Sequence, residues 1–331
     1  MKHRRKFMFA FGVATLARPF PSLAQQAQKP WRIGYLSASL KPTPQDPGVS
    51  SGLPKGLRDL GYVEGRDFHI DWKFAEGRYD QLDVLAAELV KSNVHVIVAS
   101  TPNATRAAQK ATSTIPIIFL AGGDPVLGGF VKSLARPGGN ITGFYNLSTE
   151  LVPKQLELLR EAVPGMKHVA VLVNPDNPAH SHFLEALAPA AAGTGATLIT
   201  LNVNAGNQIA TSMKSAQQKG AQGLIVLGDS FFITQRQQIV AQSNALKLPL
   251  IGVNREYVEA GGLMQYGWNS LTHIQRAASH IERMLKDGLK PADLPVEQSK
   301  TLDLVINSKT AKALGITIPA SLALRATEMI E

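Results

Sequence analysis

From residue 31 onward, short β-branched or wholly apolar runs alternate with stretches whose apolar positions recur at helical spacing. The first half predicts strands at 32–36, 67–74, 94–99, 115–120 and 141–145, with helices around 49–60, 79–91, from about 103, and 125–134. Continuous apolar strands separated by helices predict a parallel sheet covered on both faces. The second half restarts the cadence. Strands fall at 169–173, 196–203, 222–227 and 248–252, and helices from 177, over 207–219 and over 232–246. The fourth strands even match in wording, Ile-Pro-Ile-Ile-Phe at 115–119 and Leu-Pro-Leu-Ile-Gly at 248–252. Ile33 to Pro116 spans 83 residues and Val169 to Pro249 spans 80. The pattern therefore predicts an α/β protein with two Rossmann-like lobes of the same topology.

A helix at 270–286 follows after the second lobe is complete, and its natural seat is back on lobe one. A strand at 302–306 and a short helix at 308–314 come last. The expected division is 31–147 plus about 268–295 for lobe one, and 148–267 plus about 298–331 for lobe two. Repeated crossings at one hinge let two rigid lobes close like jaws.

Ligands of open parallel sheets sit beyond the carboxyl ends of the strands. In lobe one those loops carry Ser37, then Ser100, Thr101 and Asn103, then Gly122-Gly123-Asp124-Pro125, then Phe144-Tyr145-Asn146. In lobe two they carry Asn174 to Asn177, then Asp229 and Phe231, then Arg255-Glu256, with Tyr266-Gly267-Trp268 ending the last strand. Hydroxyls, amides, single charges and aromatics suit a small polar ligand with an apolar part. Each has a structural alternative. Ser100 and Asn103 also read as helix caps, Asp124 before Pro125 as a helix start, and Asn174 to Asn177 as an Asx turn. Arg255 and Glu256 could pair with each other, and Phe144 could belong to the core.

Composition narrows the function. Hydrophobic residues make up 44% and charged residues 18% of 331, which suits a globular chain with a real core. Five charges of the +9 net excess lie in residues 1–24, which hold no acid, leaving +4 for the rest. The remainder alternates in sign along helices, so no nucleic-acid stripe results. Residues 1–24 combine a basic start, paired Arg4-Arg5 and a short apolar run, and resemble a twin-arginine signal peptide cleaved after Ala24. There is no cysteine, so neither a disulfide nor a lipid anchor is available, and a freely diffusing periplasmic protein is expected. No nucleophile elbow, P-loop or zinc-protease motif occurs. His180 and His182, two apart on a helix, diverge and do not form a metal pair. No enzyme activity, cofactor or metal is expected, and the expected state is a monomer.

Several segments, in order, carry a resemblance. They include GLRDLGYVEGRDFHIDWKFAEGRYDQLDVLAAELV, IPIIFLAGGDPV, SLARPGGNITGF, LVNPDNP, EYVEAGGLMQYG and LVINSKTAKALGITIPASLALRA. They resemble the ABC transporter substrate-binding proteins related to tryptophan- and tyrosine-binding lipoproteins, over nearly the whole chain after the leader. The resemblance implies the type I periplasmic-binding-protein fold with three crossovers, a small-molecule ligand and an inner-membrane ABC permease as partner. Lacking an anchoring cysteine, the chain resembles proteobacterial members with twin-arginine-like leaders. For an amino-acid ligand, the carboxylate would meet Ser37, Ser100 and Thr101. The ammonium would need Asp124 or Asp229, and an aromatic side chain would stack among Tyr35, Phe144, Phe231 or Tyr266. A sensor docking a membrane receptor would use the same fold, and a periplasmic enzyme is the more distant alternative.

Overall fold

The computed structural model describes residues 29–43, 51–120, 124–145, 148–298 and 302–331. The signal-peptide expectation, Gly122-Gly123 and Asn146 lie outside these residues. Lobe one contains β1 (Trp31–Ser37), α1 (Gly52–Asp59), β2 (Phe68–Phe74), α2 (Leu82–Lys91), β3 (Val96–Ala99), α3 (Pro102–Ala111), β4 (Ile117–Phe119) and β5 (Ile141–Tyr145). Lobe two contains α4 (Ser148–Ala162), β6 (His168–Val173), α5 (Ala179–Gly193), β7 (Thr197–Asn202), α6 (Ile209–Gln218), β8 (Gly223–Val226), α7 (Ser230–Thr234), α8 (Arg236–Ala245), β9 (Leu250–Gly252), α9 (Glu256–Glu259) and β10 (Met264–Trp268). The chain then returns to lobe one for α10 (Ser270–Leu285) and β11 (Glu297–Gln298). It ends in lobe two with β12 (Leu302–Asn307), α11 (Ser308–Ala313), α12 (Ala320–Arg325) and β13 (Glu328–Ile330).

The sheets run β11-β5-β4-β3-β1-β2 and β13-β12-β10-β9-β8-β6-β7. From β1 and β6 onward, the strand order repeats between lobes, as the two cadences predict. All neighbours are parallel except β10 and β12. Central strands β3 and β8 are buried at every position, which is why they read as continuous apolar runs. The chain crosses between lobes after Tyr145, at Asn269 and after Gln298. Asn269 caps α10 by accepting from Thr272 N at 3.2 Å, and its amide reaches Asp303 Oδ2 at 3.3 Å, tying two crossings together.

Helix α10 returns to lobe one because its apolar residues form one stripe. Ile274, Ala277, Ala278 and Ile281 are all buried. It packs on α1 so closely that a Cβ on Gly56 would lie 2.4 Å from the Gln275 carbonyl oxygen. Tyr62 adds a hydrogen bond to Glu282 at 2.8 Å.

Two expectations need correction. The helix over 125–134 is instead a run of turns and bends. Asp124 Oδ1 caps one turn through Val126 N and Leu127 N at 2.7 and 3.1 Å, and Gly129 then takes φ +66°, which turns the chain out of a helical path. The helix over 232–246 is two helices, α7 and α8, separated at Gln235.

Candidate functional site

A cavity of about 210 Å³ lies between the lobes, at the carboxyl ends of both sheets. Its lobe-one wall begins with Ser37, Ser100, Thr101 and Asn103, four of the residues singled out by loop position. Ser37 ends β1 and Ser100 directly follows β3, the strand beside it in the sheet. Thr101 is the N-cap of α3, its hydroxyl accepting from Ala104 N at 3.2 Å, with Pro102 opening the helix. Ser100 Oγ is buried and makes no hydrogen bond of ordinary geometry among the described residues, although the Tyr35 hydroxyl lies near enough to interact with it. A buried hydroxyl left without a partner costs about 1–3 kcal/mol, so this one awaits an acceptor or donor from the cavity. The adjacent N-terminus of α3 favours negative charge.

Aromatic rings form the next part of this wall. Tyr35 and Phe74 line the cavity, with ring centroids 5.8 Å apart. Trp72 backs both, at 4.9 Å from Tyr35 and stacked 5.9 Å from Phe74. Burial raises the Tyr35 pKa, with the Ser100 hydroxyl opposing, so the phenol stays protonated. Trp268 closes the hinge side.

On lobe two, Asp229 lines the cavity, but its carboxylate is already engaged. It caps α7 through Phe231 N at 2.8 Å and Phe232 N at 3.3 Å. It also accepts from Asn177 Nδ2 at 2.8 Å and from Asn174 Nδ2. Its side chain is fully buried. His180 lies 3.6 Å away, yet burial pulls the imidazole pKa down, against the opposing pull of Asp229. Its Nδ1 accepts from Asn174 N at 2.8 Å, so the neutral ring carries its proton on Nε2, facing Gly228 O. Glu256 and Arg236 contribute the other lobe-two charges at the cavity.

The remaining expected residues stand elsewhere. Asp124 is an exposed turn cap. Phe144 is core, sandwiched by His273 and His280 of α10 at 5.9 and 4.7 Å. Asn174 is buried beneath the cavity and acts on it through Asp229. Phe231 packs in the lobe-two core. Arg255 points away, held by Glu328 at 2.6 and 2.8 Å and by Glu259 at 2.9 Å. Tyr266 packs against the core, and its carbonyl receives Gln155 Nε2 at 2.9 Å. Loop position alone did not single out Phe74 and Tyr79, which end β2 and begin the next turn. The same carboxyl-end rule, applied to β2, finds them. Among the described residues, no group of three or more His, Cys, Asp or Glu could hold a metal. None of the described helices is long and apolar enough to cross a membrane.

The sequence matches the family of ABC transporter substrate binding proteins over residues 45–330. The chain belongs to that family. This substrate-binding protein is 28% identical, over 269 residues, to a tyrosine-binding protein of Clostridioides difficile, covering 81% of this chain and 76% of the relative. Its fold matches a Streptococcus pneumoniae ABC domain in complex with L-Trp, with TM-score 0.81 and 27% identity over 91% of this chain and 100% of the other. It also matches the ligand-free, open structure of a Clostridium difficile substrate-binding protein with adhesive properties, with TM-score 0.64 and 25% identity over 91% of this chain and 99% of the other. The type I periplasmic-binding-protein fold implied by the sequence is therefore the one this chain adopts.

Proposed function

We propose that this protein is the exported, periplasmic binding component of an ABC importer, and that it captures an aromatic amino acid for an inner-membrane permease. The cavity carries the reading. It sets an aromatic wall of Tyr35 and Phe74 beside a buried hydroxyl without a well-formed hydrogen bond, Ser100 Oγ, at a helix N-terminus. The ring of the ligand packs on the wall, and its carboxylate takes Ser100, Thr101 and the free amides of α3. The ammonium faces the lobe-two wall, where Asp229 and Glu256 are the acids that line the cavity. The relatives support the ligand class, one being tyrosine-binding and another holding L-Trp. The lobe arrangement supports capture by closure. At similar identity, the overlay is better on the L-Trp complex than on the ligand-free, open structure. The working unit is a monomer without metal or cofactor.

Native mass spectrometry of protein purified without refolding weighs any co-purified ligand, and calorimetry with L-tryptophan, L-tyrosine, L-phenylalanine and L-leucine ranks affinity. Micromolar or tighter binding of an aromatic amino acid, with L-leucine at least tenfold weaker, is expected. Equal or absent binding of all four would end the proposal.

A further inference from the structure

Helix α10 carries two histidines, His273 and His280, in the face that it buries against lobe one, where they are 3% and 1% exposed. Their spacing of seven puts both on that face, and they hold the Phe144 ring of β5 between them. Neither nitrogen of His280, nor Nδ1 of His273, makes a hydrogen bond of ordinary geometry among the described residues, although the Pro295 carbonyl lies near enough to interact with His280, and the Leu120 carbonyl with His273. A phenyl ring would fill either place without carrying polar nitrogens into the core, so packing alone does not explain an imidazole there.

The charged groups around these rings form one cluster. Glu297 of β11 is the register partner of Phe144 in β5. Its Oε2 is bonded to Arg276, whose guanidinium lies 5.5 Å over the Phe144 ring. Its other oxygen, Oε1, is 3.9 Å from His280 Nε2. Burial holds His280 neutral near pH 7, Glu297 opposes, and Arg283 and Arg276 add to burial. The cluster sits where the lobes are joined. Phe144 stands one residue before Tyr145, and Glu297 one before Gln298, where the first and third crossings leave lobe one. Helix α10 starts at the second crossing.

We propose that His280, Glu297 and Arg276 are an acid-sensitive switch at the base of the hinge, and that a proton on His280 loosens the grip of the closed lobes. The imidazolium Nε2–H donates to Glu297 and draws the carboxylate from Arg276, one helical turn away. Arg276 and the imidazolium then stand as two cations against the same Phe144 ring. The packing of β5, α10 and β11, which fixes the three crossings relative to one another, weakens. Linkage makes the effect reciprocal. A tenfold difference in the proton affinity of His280 between open and closed lobes changes ligand affinity by up to about tenfold in acid. The inference rests on the reading that the lobes close around an aromatic amino acid, and one of its two tests needs no ligand.

Hydrogen–deuterium exchange on ligand-free protein, corrected for the intrinsic effect of pH, compares pH 7.5 with pH 5.5. Peptides covering β5 and β11 should exchange about tenfold faster in acid, while those covering β6 and β8 of lobe two keep their protection. His280→Phe keeps an aromatic ring and should lose this response. Glu297→Gln, with no carboxylate for either cation, should exchange fast at both pH values. Melting curves at pH 7.5 check the fold of each variant. Calorimetry then reads retention. L-tryptophan should bind about tenfold more weakly at pH 5.5 than at pH 7.5 in the wild type, and within about twofold in His280→Phe. An equal acid loss in both proteins would assign the effect to His180 beneath the cavity and overturn the switch. So would a flat L-tryptophan affinity in the wild type, or a full acid response of exchange in Glu297→Gln. If exchange depends on His280 as expected while L-tryptophan, L-tyrosine and L-phenylalanine bind at neither pH, the switch stands and the ligand class falls.

Discussion

Asn174 donates its side-chain amide to both carboxylate oxygens of Asp229, at 3.3 and 3.2 Å, from a position that is 1% exposed. The pair joins the loops after β6 and β8, which are neighbouring strands of the lobe-two sheet. Asp229 is thus an organiser of the cavity floor, with its acceptor capacity committed to the protein.

Asp229→Ala should therefore damage the fold before it tests ligand binding. It strips the N-cap of α7 and leaves the amides of Asn174 and Asn177 without their acceptor. A lost cap costs about 0.5–2 kcal/mol, and each buried unsatisfied donor about 1–3 kcal/mol. A loss of at least about 3 kcal/mol is expected by urea denaturation. A loss under about 1 kcal/mol would show that the carboxylate is not structural.

Three buried histidines set a pH dependence. Burial lowers the pKa of His180, His273 and His280 below the ordinary 6.5. Nearby arginines, Arg276 for His273 and Arg283 and Arg276 for His280, push the same way, while Glu297 opposes at both. Below pH 6.5 the unfolded chain binds more protons at these sites than the folded one, so acid favours unfolding. Their contribution is complete above about pH 6.5 and is lost as pH falls toward the lowered values. Each tenfold reduction in proton affinity is worth about 1.4 kcal/mol. Denaturation free energies at pH 7.5 and 5.5 should differ by roughly 2 kcal/mol, with the acid sample weaker. A flat profile, or greater stability at pH 5.5, contradicts the assignment.

Much of the architecture was legible because buried parallel strands must be continuously apolar. The repeat at Pro116 and Pro249, and the return of α10 to lobe one, could be read from sequence alone. The turns at 125–134 could not. Apolar spacing there mimics a helix, while the outcome is decided by Asp124 capping one turn and by the conformation of Gly129. Within the candidate site, loop position found Ser37, Ser100, Thr101, Asn103 and Asp229 at the cavity. It had no means of telling that Arg255 would be claimed by Glu328, 73 residues away. Nor could it tell that Phe144 would be covered by α10. Such choices are made by tertiary partners, which local pattern does not encode.

Export is testable without a ligand. The paired Arg4-Arg5 and the Ser22-Leu23-Ala24 junction motivate a twin-arginine leader. Replacing both arginines with lysine should leave precursor in the cytoplasm and abolish mature protein in the periplasm, as read by fractionation and immunoblot. Undiminished periplasmic protein would assign the leader to the general secretory route instead.

The aromatic wall makes the most direct prediction about selectivity. Phe74 lines the cavity and leans on Trp72, whose stacking holds it in place without a ligand. A preorganised ring loses little entropy on binding, so its contact contributes to affinity nearly in full. Aromatic pairs add about 0.5–1.5 kcal/mol beyond the area they bury. Phe74→Ala should therefore weaken L-tryptophan by about 2- to 12-fold from the lost ring contact, while L-leucine, which cannot stack, changes less. Phe74→Tyr should keep most of the affinity, because it keeps the face of the ring. Calorimetry on the three proteins, with melting curves to confirm the fold, separates the outcomes. An equal loss for both ligands would mean that Phe74 shapes the cavity without reading the ligand's ring. No loss for either would move the aromatic subsite off this wall, toward Trp268 at the hinge.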